Sequence, residues 1–289
     1  MRKKISICFF GITRDLEKTF PSIQKNLIYP ARKLAEVKIF CHFYDLKVIK
    51  NSRSQENEIK IKNNWNLFNA DKLISEEPNL IFHNYSLENI MKYGDIFKDD
   101  YKSIRNLIHQ LFSLKKVYEI SKENNSDLTI FARPDLYYWD SFEKNIQDLL
   151  NSSKDYIAIP NWQFYRGFND RFAICTSDYA SYIYANRINQ INNFLRNTQN
   201  YLIPECLLFY SIFQSKAKTS LLDIKASRVR ANGKMVSEKF FIKKSNYIKV
   251  FISNQKSIIL KKFLLFLNKF LFSKRSFLKK GIVVLFKSN

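Results

Sequence analysis

The residues of this chain that could do chemistry fall in a few short stretches, most of them at the end of an apolar run. Gly11 and Arg14 form a Gly-x-x-Arg directly after residues 5–10. A glycine there lets backbone approach a ligand, and Arg14 can offer a fixed positive charge to a diphosphate. An ordinary turn with a surface arginine is the plainer reading. The stretch has neither the G-x-G-x-x-G of a dinucleotide site nor the Gly-Lys-Ser/Thr of a P-loop. Arg133, Pro134 and Asp135 follow the run 128–132. Asp135 is a candidate ligand for Mg²⁺ or Mn²⁺, which needs only one or two protein carboxylates when phosphate supplies the rest. Asp140 lies further on, about 16 Å away if the chain is extended, so it could share an ion only across a sharp turn. An Arg133–Asp135 salt bridge that fixes the loop is the alternative.

The segment from Gly167 to Arg171 is the most specific in appearance. Asn169 and Asp170 can hold sugar hydroxyls by directional hydrogen bonds. Asp170 could instead take a proton from an attacking hydroxyl, or hold the metal. Arg171 completes the group, and Trp162, Phe164, Tyr165 and Phe168 would suit the wall of a sugar site. A capped turn over aromatic core is the alternative. Pro204 and Glu205 open a helical segment; Glu205 is a candidate base or acceptor contact, although an acid in a first turn is favoured by the helix dipole alone. Gln110 is either a buried polar anchor or a surface residue.

These stretches need elements to hold them. Residues 5–10, 37–44, 80–83, 128–132, 156–160 and 171–176 have strand length and are rich in Ile and Phe. Between them, residues 103–124 place Ile104, Leu107, Ile108, Leu111, Leu114, Val117 and Ile120 on one helical stripe. Residues 178–197 and 204–215 are further helix candidates, and the polar stretch 51–66 reads as a surface insertion or exposed helix. Strands alternating with helices predict a mainly parallel, doubly wound α/β sheet, with ligands at the carboxyl ends of its strands.

The 289 residues are 46% hydrophobic, enough for a sizeable core, and carry a net charge of +22. That charge is unevenly placed. No acid follows Glu238, and thirteen Lys and Arg do, leaving +9 for residues 1–238. The division expected is an α/β domain over 1–235 and a basic tail over 236–289. On a helix, Leu260, Phe263, Leu264, Leu267 and Leu271 would line one side, with Lys261, Lys262 and Lys269 away from it. The unbroken apolar run is too short to span a bilayer, so the tail fits an amphipathic helix on an anionic membrane surface. A helix docked on the domain is the alternative. Nucleic acid is not expected, because the tail is rich in Lys and poor in Arg. Cys8, Cys41, Cys175 and Cys206 are scattered and read as reduced core thiols. The first apolar run is too short for a signal peptide and reads as a buried strand, so the expected place is the cytoplasm, at the inner face of the membrane.

In their order along the chain, Gly-x-x-Arg (Gly11, Arg14), Gln110 on its helix, Arg133-Pro134-Asp135, Asn169-Asp170-Arg171-Phe172-Ala173 and Pro204-Glu205 resemble a group of bacterial glycosyltransferase-like proteins. That group has a GT-A-type (Rossmann-like) fold and is often encoded with capsule or lipopolysaccharide assembly genes. The resemblance covers about residues 4–232. It implies a nucleotide-sugar donor and a glycan or lipid-linked acceptor, with Gly11, Arg14 and Arg133 near the donor. The broader GT-A pattern has an Asp-x-Asp that binds Mn²⁺ or Mg²⁺; here Arg133 stands where the first Asp would be. A catalytically silent glycan- or membrane-binding protein of the same fold is the competing expectation.

Overall fold

A computed structural model describes residues 2–51, 56–78 and 87–264. Its main sheet has seven strands: β1 (Lys4–Gly11), β2 (Glu36–Tyr44), β5 (Lys72–Glu76), β6 (Leu128–Ala132), β8 (Tyr156–Pro160), β9 (Ala173–Cys175) and β10 (Lys218–Leu222). Across the sheet they run β10-β8-β9-β6-β1-β2-β5. All neighbours are parallel except β9, which is antiparallel to both β6 and β8. The chain therefore adopts the mainly parallel α/β sheet expected from the sequence.

Burial explains why β1 is an unbroken apolar run. Ile5, Ile7 and Phe9 enter one core while Cys8 and Phe10 enter the other, so both faces are covered. Helices α1 (Leu16–Ile23), α2 (Tyr29–Leu34) and α5 (Glu143–Leu150) pack on the first face. Helices α4 (Lys102–Ser121), α6 (Asp178–Ala185) and α8 (Pro204–Phe213) pack on the second. The first turns of α4 join α3 (Leu87–Met91) and α7 (Ile191–Thr198) in a satellite cluster.

From β1 the chain works outward through β2 to β5, then returns to β1's other side as β6. A crevice opens where that direction reverses, at the carboxyl ends of β1 and β6. Two small antiparallel pairs flank it: β3 (Val48–Asn51) with β4 (Glu56–Lys60), and β7 (Leu136–Tyr138) with β11 (Ala226–Arg228).

Several expectations change. The polar stretch 51–66 contributes to the β3–β4 pair, while the strand expected at 80–83 lies outside the described residues. The position beside β2 is taken by β5, an edge strand whose half-exposed residues form no apolar run. The single helix expected over 178–197 is broken between α6 and α7 by a 3₁₀ turn, Asn186–Gln190.

The division at residue 235 falls within packed structure. Glu238 pairs with Arg171 and Arg228, and α9 (Lys244–Ser253) buries Ile252 against the second core. Asn254 extends the β10 edge by exchanging hydrogen bonds with the backbone of Thr219, at 2.6 and 2.9 Å. Where the next helical residues are described their facing is mixed: Lys262 is exposed, and Leu264 packs in part against the second core. Lys261 is buried, its Nζ donating to the carbonyls of Phe213 and Ser215 at the end of α8, while Leu260 and Phe263 are exposed. A lysine bonded to the last carbonyls of a helix satisfies groups the helix cannot. Leu267, Lys269 and Leu271 lie outside the described residues.

Candidate active site

A cavity of about 570 Å³ occupies the crevice. Arg14, Arg133, Arg166, Arg171, Arg228 and Arg230 line it, with Asp170 and Glu205 as the acids and Tyr165, Phe97 and Leu107 among the apolar groups.

Local structure places each of these. At the end of β1, Gly11 has φ +99°, a conformation open to glycine and costly for other residues. Its N–H donates to Ser113 Oγ of α4 at 2.8 Å, and that hydroxyl donates to the carbonyl of His42, tying the ends of β1 and β2 to the helix. The chain then turns and carries Arg14 into the cavity. At the end of β6, Arg133 grips Asp135 with two hydrogen bonds, Nε at 2.9 Å and Nη2 at 2.7 Å. The Val229 N–H donates to the Asp135 carbonyl, which brings Arg228 and Arg230 alongside.

Five arginines here share three buried carboxylates. Asp135 takes Arg133, with Arg14 Nη1 at 3.8 Å. Glu56, fully buried, faces Arg14 at 3.7 Å and Arg230 at 4.0 Å and accepts from the Ala231 N–H. Glu238 takes Arg171 and Arg228, each at 2.8 Å. Burial would raise the Asp135 carboxyl, but Arg133 and then Arg14 and Arg228 outweigh it and bring it down to about 2. Arg230 is lowered to about 10 by burial and by the charges of Arg14 and Arg228. Nε and Nη1 of Arg14 are buried with no hydrogen-bond partner.

Asp170 and Glu205 are the acids of the lining. Asp170 Oδ2 is 3.5 Å from both Arg187 Nη2 and Gln110 Nε2, and the Asp170 carbonyl accepts from Tyr184 Oη. Gln110 turns its Oε1 to Arg133 Nη1 at 3.1 Å, so one amide links Arg133 to Asp170. Glu205, in the first turn of α8, is raised to about 8 by burial and then by the negative charge of Asp170. The turn carrying Gly167 lies directly on this helix start, since a Cβ on Gly167 would sit 1.9 Å from the Glu205 carbonyl oxygen.

The candidate residues thus divide. Arg14, Arg133, Asp170, Arg171 and Glu205 line the cavity. Asn169 spends its side chain on the loop, donating to the Trp162 carbonyl at 2.7 Å and accepting from the Arg171 N–H. Trp162 is wholly buried, its indole N–H donating to the Ile224 carbonyl and its ring lying 4.9 Å from the Arg171 guanidinium. Phe164 and Phe168 are core, so of the expected aromatic wall only Tyr165 faces the cavity.

The Arg133–Asp135 pair has the form of the loop-fixing alternative. Both Asp135 oxygens already accept from one guanidinium, and Asp140 is engaged elsewhere by the Lys225 N–H. Among the described residues no three His, Cys, Asp or Glu side chains stand where they could hold a metal ion together. Asp135, closed by the Arg133 fork, therefore presents no open carboxylate to a divalent cation in this arrangement.

Arg187, Arg228, Arg230, Glu56 and Glu238 were not singled out in sequence. Two signals pointed to some of them: Arg228 and Arg230 have the two-residue spacing that puts side chains on one face of extended chain, and Glu238 is the last acid in the chain. Nothing local marks Glu56 or Arg187.

No family profile matches the chain, and no curated protein matches it. Among solved structures it is similar to the glycosyltransferase GlyE of Streptococcus pneumoniae TIGR4, with 14% identity and a TM-score of 0.37 over 77% of this chain and 46% of that one. It is also similar to mouse xyloside xylosyltransferase 1, with 15% identity and a TM-score of 0.35 over 72% of this chain and 80% of that one. A third is a Bacillus anthracis protein assigned as a glucose-1-phosphate thymidylyltransferase, in complex with a sucrose, at 9% identity and a TM-score of 0.34, covering 78% and 89%. The chain spans less than half the length of the GlyE structures it matches.

Proposed function

We propose that this protein transfers a glycosyl group from a nucleotide-sugar donor to a hydroxyl of a glycan or lipid-linked acceptor. The observation that carries the reading is a cavity in which crowded arginines stand together with the carboxylates Asp170 and Glu205. In the reaction, the acceptor oxygen bonds to the anomeric carbon as the bond from that carbon to the donor's phosphate oxygen breaks. The electron pair leaves on the diphosphate, beside the arginines, and the acceptor proton passes to a carboxylate. Glu205 suits that last role because a base works best with a pKa near the working pH, and burial has moved it to about 8. Asp170, approached by Arg187 and Gln110, would hold the reacting sugar. Bacterial surface-polysaccharide assembly is the setting that the sequence resemblance suggests.

The experiment is a panel of nucleotide sugars scored for thermal stabilisation and donor hydrolysis. The reading expects one donor to stabilise the protein and to be slowly hydrolysed. Stabilisation without any turnover on added acceptors favours a silent binder; indifference to every donor removes the reading.

We infer an anionic membrane surface as the second partner, through Phe263 and the basic segment the sequence suggested together with residues of α9. Helix α9 buries Ile252 but exposes Tyr247 and Phe251, and Ile259 and Phe263 beyond it are also exposed. Exposed apolar groups of this kind mark an interaction surface. The exposed Lys239, Lys243, Lys244, Lys256 and Lys262 around them select an anionic one. Binding to vesicles containing phosphatidylserine but not to neutral vesicles is expected. Equal binding to both, or to neither, removes this partner. Among the described residues no helix is long and apolar enough to cross a membrane.

A further inference from the structure

We propose that the cavity holds the diphosphate of its donor without a metal ion, using Arg14, Arg228 and Arg230 as the counter-charge. This rests on the donor-site reading above and adds the chemistry that recognises the ligand.

Charge supports it first. Among the described residues five arginines pair with three carboxylates beside the cavity, an excess of two positive charges, and a buried excess is costly unless an anion completes it. Arg230 bears the strain of this crowding, lowered by burial and by its two arginine neighbours. Geometry supports it second. Among the described residues, the carboxylates nearest Arg14 stand at 3.7 and 3.8 Å, and two of its buried nitrogens have no hydrogen-bond partner. Planar guanidiniums donate paired hydrogen bonds, which is the geometry phosphate oxygens accept.

The third support is Asp135, the one acid at the position where a metal would be expected. Its two oxygens are closed by Arg133, and the fork also reaches Gln110, so Arg133 is committed to holding the wall together. The carboxylates elsewhere on this wall, Glu56 and Glu238, are spent in the same way on arginines and, for Glu56, a backbone N–H. Asp170 is approached by the donors Arg187 and Gln110. The arginines thus occupy the role a divalent cation plays in neutralising a departing diphosphate.

The test is calorimetric titration of UDP, GDP and inorganic pyrophosphate into the full-length chain, in EDTA and again in excess Mn²⁺. At least one nucleoside diphosphate and pyrophosphate should bind in EDTA, with Mn²⁺ changing the Kd by less than about threefold. Arg230→Gln and Arg14→Lys should each weaken pyrophosphate about tenfold, with the circular dichroism spectrum unchanged. If Arg14→Lys does not fold, Arg230→Gln decides, since that side chain is partly exposed and tied only by a 4.0 Å pair. Tightening of tenfold or more by Mn²⁺, or broadening of the free Mn²⁺ electron-spin signal by protein with UDP, overturns the inference and leaves the donor site standing. Binding that is metal-indifferent but unaffected by Arg230→Gln also overturns it, because the cradle is then elsewhere. No binding of any of the three ligands in either condition overturns the donor-site reading together with the inference.

Discussion

The cavity wall and the face built by α9 and the residues after it are both strongly positive, and they are made differently. In the cavity the cations are arginines, and five of them, largely buried, are set against buried carboxylates. On the C-terminal face they are exposed lysines scattered among Tyr247, Phe251, Ile259 and Phe263, in a segment with no acid at all. The first arrangement is pre-organised for a compact anion whose oxygens it can meet one by one. The second supplies a diffuse field and an apolar contact, which suits a surface without fixed geometry. Salt should separate them. Exposed charges are screened beyond a Debye length of about 8 Å at physiological ionic strength, whereas partly buried pairs are screened much less.

The sharpest way to break this contrast is to remove residues 239–289. If the C-terminal face were a free appendage, the domain would not notice. The structure expects the loss of Ile252 burial, the Asn254 pairs on β10 and the Lys261 cap on α8, together roughly 4 kcal/mol, or about 10 °C in thermal midpoint. A midpoint within a degree or two of the full chain's would restore the independent tail. For the same reason this truncation is a poor test of membrane binding, which point substitutions on the exposed face should carry.

Asp170→Asn should cost two decades or more in turnover, in line with losing a positioned carboxylate, while nucleoside diphosphate and vesicle binding stay as they were. Turnover within a few-fold of the parent would take Asp170 out of the chemistry.

Glu205 offers two signs at once. As the proton acceptor it would make turnover rise with pH to a plateau above about 8, and Glu205→Gln should lower the plateau about a hundredfold and flatten the rise. Stability should run the other way. The folded carboxyl keeps its proton up to about 8 while the unfolded one releases it near 4.5, so the native state loses stability as pH climbs through that window. Melting curves across it should show the decline in the parent and not in Glu205→Gln. Below about 6.5, His42 and His109, both lowered by burial, act in the opposite sense, so the decisive range is pH 6.5 to about 8, where a parent midpoint that rises would contradict the burial of Glu205.

The smallest effect expected is on the C-terminal face. Lys244→Gln should reduce binding to anionic vesicles about fivefold, and Phe251→Ser by a similar factor, with donor hydrolysis unchanged in both. Only the lysine change should vanish in high salt. Loss of donor hydrolysis in either variant would mean that the two regions are coupled.

Much of the frame was legible in the chain itself. Residues 5–10, 37–44, 128–132 and 156–160 are apolar runs because a strand buried on both faces has no solvent side to mark with polar residues, and each became a strand of the main sheet. The 3.6-residue stripe of α4 was equally plain. The edge strand β5 was not, since half of it meets solvent and its pattern is that of a loop. The break between α6 and α7 was hidden by an apolar periodicity that continues through it.

The site divides along the same line. Composition and spacing determined that Arg14 and Arg133 follow strands and Glu205 opens a helix, whereas Asp170 and Arg171 lead into β9 and reach the same crevice because that strand runs antiparallel. Which of them pair with one another was decided by packing. The Arg133 fork closes Asp135, Asn169 turns back to clip its own loop, and Trp162 enters the core, because each finds its nearest partner inside the protein. Glu56, Arg187, Arg228, Arg230 and Glu238 reach the site from hairpins and turns far apart in sequence, and long-range electrostatic pairing leaves no local pattern to find. The tail shows the same limit most simply. Helical spacing set Lys261 with the other lysines, away from the apolar stripe, but the carbonyls at the end of α8 offered it hydrogen bonds that drew it into the protein, while Leu260 and Phe263 stay exposed.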